Sequence, residues 1–129
     1  MKVLLVADEP WIRNEAIAAL SDPGTVMRET SDPRRVAQLA SEFQPDVVLV
    51  DLQVGSMGGM AVARALREAE FSHEIPGMRI VLLLDRSADE FIAGRSAADA
   101  WVVKPFTSQQ LRAAIATTTD ASLAAGRSE

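Results

Sequence analysis

The sequence predicts a doubly wound α/β domain: a five-stranded parallel sheet with helices on both faces. Three observations carry this expectation. Short apolar runs recur, and each ends in a charged residue: Val3 to Ala7 before Asp8-Glu9, Val47 to Val50 before Asp51, Ile80 to Leu84 before Asp85, and Ala100 to Val103 before Lys104. Uninterrupted runs of this kind belong to strands buried on both faces. Segments with apolar residues at helical spacing separate them, so strand and helix alternate five times, and right-handed crossovers follow. At 129 residues the chain is long enough for one core, with no internal repeat and no second domain.

Val3 to Ala7 is the first strand. Pro10 suits the first turn of a helix, which Asp8 or Glu9 can cap. Trp11, Ile12, Ala16, Ala19 and Leu20 recur as its packing stripe, and Asp22-Pro23-Gly24 stops it. Thr25 to Thr30 reads as a weak edge strand, interrupted by Arg28 and Glu29. Ser31-Asp32-Pro33 opens a second helix with Val36, Leu39, Ala40 and Phe43 facing inward. Gln44-Pro45-Asp46 turns into the central strand at Val47 to Asp51. Val54-Gly55-Ser56-Met57-Gly58-Gly59 is too glycine-rich to continue it or to begin a helix at once. Met60 to Arg67 is a third helix, Phe71 to Met78 a loop, and Arg79 to Leu84 another buried strand. Ala88 to Gly94 is a short, poorly patterned helix, and Ala100 to Val103 is the last strand. After Lys104-Pro105-Phe106, Thr107 or Ser108 caps a final helix carrying Leu111, Ala114 and Ile115. The expected domain covers 1–119, with a flexible tail over 120–129.

Composition narrows the function. Eighteen acids against 13 Lys and Arg give a net charge of −5, which argues against a nucleic-acid face. The absence of cysteine removes disulfides, thiolate nucleophiles and Cys-ligated metals. No apolar run approaches the ~20 residues of a membrane span. The first apolar run stops at Asp8, too short for a secretory signal, so a cytoplasmic protein is the simplest reading. His73 reads as a solvated loop residue, Met57 and Met60 as packing, and Trp11 as helix packing.

Chemistry in open α/β sheets gathers beyond the carboxyl ends of the strands. Asp51 is therefore a carboxylate aimed at a site, although aspartates also end strands and cap turns. By analogy with the flavodoxin type of sheet, strand order 2-1-3-4-5 brings Asp8, Glu9 and Asp51 into one crevice. Asp85 and Lys104 then lie at the neighbouring strand ends. Clustered carboxylates repel unless a hard cation joins them, and Mg²⁺ takes one or two carboxylates plus water and phosphate oxygens. A lysine opposite such a cation holds a phosphoryl group as a point charge. The set points to phosphoryl transfer onto a carboxylate.

On these residues the chain resembles the receiver domain of two-component response regulators, the CheY-like family. The resemblance runs from Lys2 to about Thr119. It rests on Val6-Ala7-Asp8-Glu9-Pro10, on Pro45-Asp46-Val47-Val48-Leu49-Val50-Asp51-Leu52 with Met57 and Gly59, and on Lys104-Pro105-Phe106. It implies the CheY-like sheet order and a phosphoacceptor at Asp51, served by a histidine kinase or phosphotransfer protein. Mg²⁺ would be held by Asp8, Asp51 and the backbone carbonyl of Gln53, with Glu9 a further candidate. Lys104 would pair with Asp51 and then with the phosphoryl oxygens, the Lys104-Pro105 bond would be cis, and Trp101 would be the aromatic switch. Output would pass to a protein partner through the face of the fourth helix, fifth strand and fifth helix, with no nucleic acid and no membrane. The resemblance also allows a homodimer.

Three departures qualify it. Ala7 stands where the family usually has an acid, which weakens Mg²⁺ binding. Asp85 stands where the family has the Thr or Ser that moves to hydrogen-bond the phosphoryl group. A carboxylate only accepts, and at ~4 Å and effective dielectric ~20 each like-charge pair costs about 4 kcal/mol. Unphosphorylated, Asp85 could instead salt-bridge Lys104 or ligate a cation; Ser87 is the alternative hydroxyl. Asp85 to Lys104 is also about one helical turn short, so the fourth helix should be truncated or irregular. Gly55 and Gly58 replace a common proline and a common acid. The leading reading is a single-domain receiver phosphorylated on Asp51, with at most self-phosphorylation and self-dephosphorylation as its own chemistry. The alternative is a phosphorylation-independent interaction module. A haloacid dehalogenase-type hydrolase would need an acid where Gln53 stands, and a flavodoxin-like cofactor binder a neutral loop where Asp8-Glu9-Pro10 stands.

Overall fold

The computed structural model describes residues 1–55 and 58–116. Ser56, Met57, the Thr117-Thr118-Thr119 run and the expected tail at 120–129 lie outside the described residues. Strands β1 (Lys2–Val6), β2 (Val26–Thr30), β3 (Val47–Asp51), β4 (Arg79–Leu84) and β5 (Ala100–Val103) form one parallel sheet in the order β2-β1-β3-β4-β5. Helices α1 (Pro10–Ala19), α2 (Val36–Phe43), α3 (Gly59–Phe71), α4 (Glu90–Ala93) and α5 (residues 108–116) alternate with them. The architecture and strand order agree with the sequence expectation.

The strands read as continuous apolar runs because each face of the sheet has its own core. Leu4, Val6, Val48, Val50, Ile80, Leu82 and Leu84 meet Val36, Phe43, Val62 and Leu66 of α2 and α3. Val3, Leu5, Val47, Leu49, Val81 and Leu83 meet Ile12 and Ala16 of α1 and Leu111 and Ile115 of α5. Burying one such side chain stabilises the fold by roughly 1.5–3 kcal/mol. The strand β2 lies at the edge, and Arg13 ties α1 to it through Glu29 at 2.7 Å.

Several local readings change. Trp11 lies off the buried stripe: α1 buries Ile12, Ala16 and Ala19, and Trp11, one position away, is 47% exposed. Glu9 occupies the N-cap position of α1, but its side chain makes no capping hydrogen bond. The second helix begins with a 3₁₀ turn, Pro33–Arg35, whose Arg34 N–H donates to Asp32 at 3.0 Å. The helix α3 runs on to Phe71, because Ala69 continues the buried stripe while Glu68 stays on the exposed face. Thr107 is the cap of α5: its hydroxyl accepts from Gln110 N–H at 3.0 Å while Gln110 accepts from Thr107 N–H at 2.8 Å. The fourth helix is indeed short, four residues after a 3₁₀ turn at Ser87–Asp89. No described helix is long and apolar enough to cross a membrane.

Candidate functional site

Strand register assembles the site. Val6 pairs with Val50, so the residues just past β1 and β3 lie side by side. Asp51 pairs with Leu83, and Leu84 pairs with Val103. Asp85 and Lys104 each follow one member of that last pair and therefore neighbour each other. Lys104 N–H donates to the Leu84 carbonyl at 2.7 Å, and the Lys104-Pro105 bond is cis, as expected from the resemblance.

Asp51 is 1% exposed. It is in phase with Val47 and Leu49, whose side chains face α1 and α5. The loop after it folds back tightly. Val54 N–H donates to the Asp51 carbonyl at 3.2 Å and Gly59 N–H to the Leu52 carbonyl at 2.9 Å. A Cβ on Gly59 would sit 2.5 Å from the Asp51 carbonyl oxygen, so α3 can start this close to β3 only at a glycine. Gly55 adopts φ +54 and donates its N–H to Asp8 at 3.0 Å. Proline, common at this position in the resemblance, has neither that N–H nor that φ.

The Lys104 ammonium donates to Asp51 Oδ1 and lies 2.8 Å from Asp85 Oδ1. One buried cation thus bridges two carboxylates. Burial pushes the Asp51 carboxyl above the ordinary aspartate value; Lys104 opposes the shift and the Asp85 charge adds to it. Burial also acts upward on Asp85, but the hydrogen bond and charge of Lys104, with help from Gln53 and Arg86, hold it below the ordinary value. Burial acts downward on Lys104, yet the two carboxylates keep its pKa raised, so it remains an ammonium.

Asp8 is exposed at the end of β1, held by Gly55 as well as by its strand. Asp8, Asp51 and the Gln53 carbonyl offer hard oxygen donors, two of them carboxylates, which fits Mg²⁺ completed by water. Among the described residues no three His, Cys, Asp or Glu side chains gather closely enough to hold a metal by themselves. Ala7 leaves a cleft beside Asp8 and Glu9 that reaches Thr30 and Arg35. Trp11 stands at the rim, with Lys104 Nζ 5.9 Å from its ring centre. Sequence reasoning missed both Trp11 and the Gly55 N–H; a glycine in place of a common proline was the available signal for the second. Trp101 is half-buried and donates its indole N–H to Glu90 of α4 at 3.1 Å.

Residues 3–116 match the response regulator receiver domain family. The two-component response regulator PhoP of Pseudomonas aeruginosa is 31% identical over 114 residues, covering 88% of this chain and 49% of PhoP. The probable transcriptional regulator ycf27 of Guillardia theta is 32% identical over 114 residues, covering 88% of this chain and 43% of ycf27. The chain therefore spans about half the length of the curated relatives it matches. Among solved structures, the chemotaxis response regulator CheY4 of Vibrio cholerae aligns with TM-score 0.76 and 24% identity, covering 91% of this chain and 97% of CheY4. The receiver domain of the sensor histidine kinase PA1611 of Pseudomonas aeruginosa, with a magnesium ion coordinated in its active site cleft, aligns with TM-score 0.73 and 21% identity, covering 88% and 93%. Structures at these identities share the fold, while the family match extends over nearly all the described residues; the chain belongs to the response regulator receiver domain family.

Proposed function

We propose that Asp51 accepts a phosphoryl group from the phosphohistidine of a histidine kinase or phosphotransfer protein. The observation that carries this is the buried Asp51–Lys104 pair at the end of the central strand, with Asp8 at the adjacent strand end. One Asp51 oxygen attacks phosphorus, the P–N bond breaks, and the imidazole nitrogen leaves with the electron pair. Lys104 stays protonated throughout and turns its donors to the phosphoryl oxygens as their charge develops. The Gln53 backbone favours the ionised form of the Asp51 carboxylate. Asp8, Asp51 and the Gln53 carbonyl are the proposed Mg²⁺ ligands, with Glu9 nearby; when bound, the ion supplies the positive charge that lets an anionic donor approach. Ala7 removes one acid from this corner, so affinity for Mg²⁺ should be low for the family.

Output is proposed through the face of α4, β5 and α5. Phe91 and Ile92 of α4 are largely exposed, and Trp101, Val103, Ala113 and Gln110 line an open groove beside them. Trp101, hydrogen-bonded to Glu90, is the proposed aromatic reporter between site and face. A cytoplasmic location goes with this reading. The test is incubation with acetyl phosphate and Mg²⁺, followed by intact mass. The expected result is a gain of one phosphoryl group, removed by chelation and absent in Asp51→Asn. A protein that gains nothing either as wild type or as Asp85→Asn, where the neighbouring charge is removed, would leave the phosphorylation-independent interaction module as the better reading.

A further inference from the structure

Lys104 is shared. Its ammonium serves Asp51 on one side and Asp85, 2.8 Å away, on the other. The Asp85 side chain is 37% exposed, whereas that of Asp51 is 1% exposed, so only Asp85 has a way out to water. Gln53, in the loop after β3, and the Arg86 charge both favour the ionised form of Asp85. We propose that Asp85 is a positioning residue for Lys104: it competes with the incoming phosphoryl group for the ammonium and is driven outward once that group is in place. The proposal rests on the reading of Asp51 as phosphoacceptor and adds the direction of the movement that follows.

Charge and hydrogen-bond capacity drive this displacement. In the resting site two carboxylates and one ammonium sum to one negative charge, which opposes an anionic phosphodonor. With acetyl phosphate, an Asp51 oxygen forms the new bond to phosphorus while the P–O bond to acetate breaks and acetate leaves with the electron pair. Asp51 then carries an acyl phosphate with close to two negative charges and three strong acceptor oxygens. Lys104 has three N–H donors and turns them to those oxygens. Asp85 has no proton to offer and cannot bond to the phosphoryl group. It loses its cation and faces a like charge at contact distance. A hydroxyl here would be drawn in; a carboxylate is expelled.

The neighbouring elements would register such a displacement. Asp85 leads directly into Arg86, whose N–H donates to Asp89 at 3.2 Å across the 3₁₀ turn Ser87–Asp89. Only the four residues of α4 follow, and their Glu90 holds the Trp101 indole at 3.1 Å. A segment this short, with so few anchors, loosens as a unit.

Two measurements test this. Acetyl phosphate labelling rates in Mg²⁺ should rise about tenfold in Asp85→Asn, which removes the competing charge, and stay within about threefold of wild type in Asp85→Glu, which keeps it. Amide hydrogen exchange over residues 85–95 should speed up about threefold or more when wild type is phosphorylated, and should not speed up in phosphorylated Asp85→Asn. A wild type that takes no phosphoryl group while Asp85→Asn does would support the competition in its strongest form. Labelling of wild type with Asp85→Asn no faster, or slower exchange over 85–95 in phosphorylated wild type, overturns this inference and leaves the phosphoacceptor intact. Failure of both proteins to take a phosphoryl group overturns both readings.

Discussion

Asp51, the proposed phosphoacceptor, is a carboxylate with 1% exposure. Burial raises its pKa in spite of Lys104, so ionising Asp51 is harder in the folded protein than in the unfolded chain. A raised folded pKa contributes stability below the ordinary carboxylate value and loses it as pH rises through the raised one. At neutral pH the ionised Asp51 therefore costs stability. Asp51→Asn removes the charge and keeps the shape, and Lys104 retains Asp85 as its counter-ion. The variant should unfold at higher urea than wild type at neutral pH, and the gap should close as pH falls through the carboxylate range. A lower midpoint at neutral pH would mean that the ion pair with Lys104 outweighs burial. The gathering of these residues was legible because Asp51, Asp8, Asp85 and Lys104 each follow an apolar run, and strand ends converge in a doubly wound sheet. The Asp85–Lys104 salt bridge was legible as one of two alternatives for Asp85, the other being a cation; the choice between them was not, because it depends on register between β4 and β5.

At the scale of elements, the site is held by how closely α3 begins beside β3. Gly59→Ala would press a Cβ 2.5 Å from the Asp51 carbonyl oxygen and 2.9 Å from the Leu52 Cα. Both are backbone atoms and neither can swing aside, so a loss of about 1–3 kcal/mol is expected in urea unfolding. The phosphorylation rate should fall with it, since the displaced backbone carries Asp51, the proposed nucleophile. Gly24→Ala, with open space around the new Cβ, is the control and should change neither quantity. The elements themselves were largely readable. Runs buried on both faces marked β1, β3 and β4, and the short interval from Asp85 to Lys104 marked the truncated α4. The errors fell where a pattern has two readings. Glu68 and Glu70 hid the last turn of α3, although Ala69 between them is buried. Trp11, taken with the stripe of α1, lies one position off it and faces the rim of the site.

Across the whole molecule, chemistry and cohesion occupy opposite ends of the sheet. The site lies beyond the carboxyl ends of the strands, while Arg67 of α3 gathers the start of β4 and the short connection into β5. Its guanidinium donates to the Met78 carbonyl at 2.9 Å, to the Ala97 carbonyl at 3.0 Å, to Glu70 at 3.0 Å and to Asp99. Asp99 in turn accepts from Ile80 N–H at 2.8 Å. This cluster joins α3 to the segments that lead into β4 and β5. Arg67→Met keeps an apolar stem and strands two carbonyls and two carboxylates. Because the side chain is about a quarter exposed, water recovers part of the loss, and a cost of about 2 kcal/mol is expected in urea unfolding. The cluster shares no partner with Asp51, Asp85 or Lys104, so the labelling rate with acetyl phosphate, measured well below the unfolding transition, should stay within about twofold of wild type. A rate that falls in step with stability would show the two ends coupled along β4, the strand that runs from Ile80, held by Asp99, to Leu84, next to Asp85.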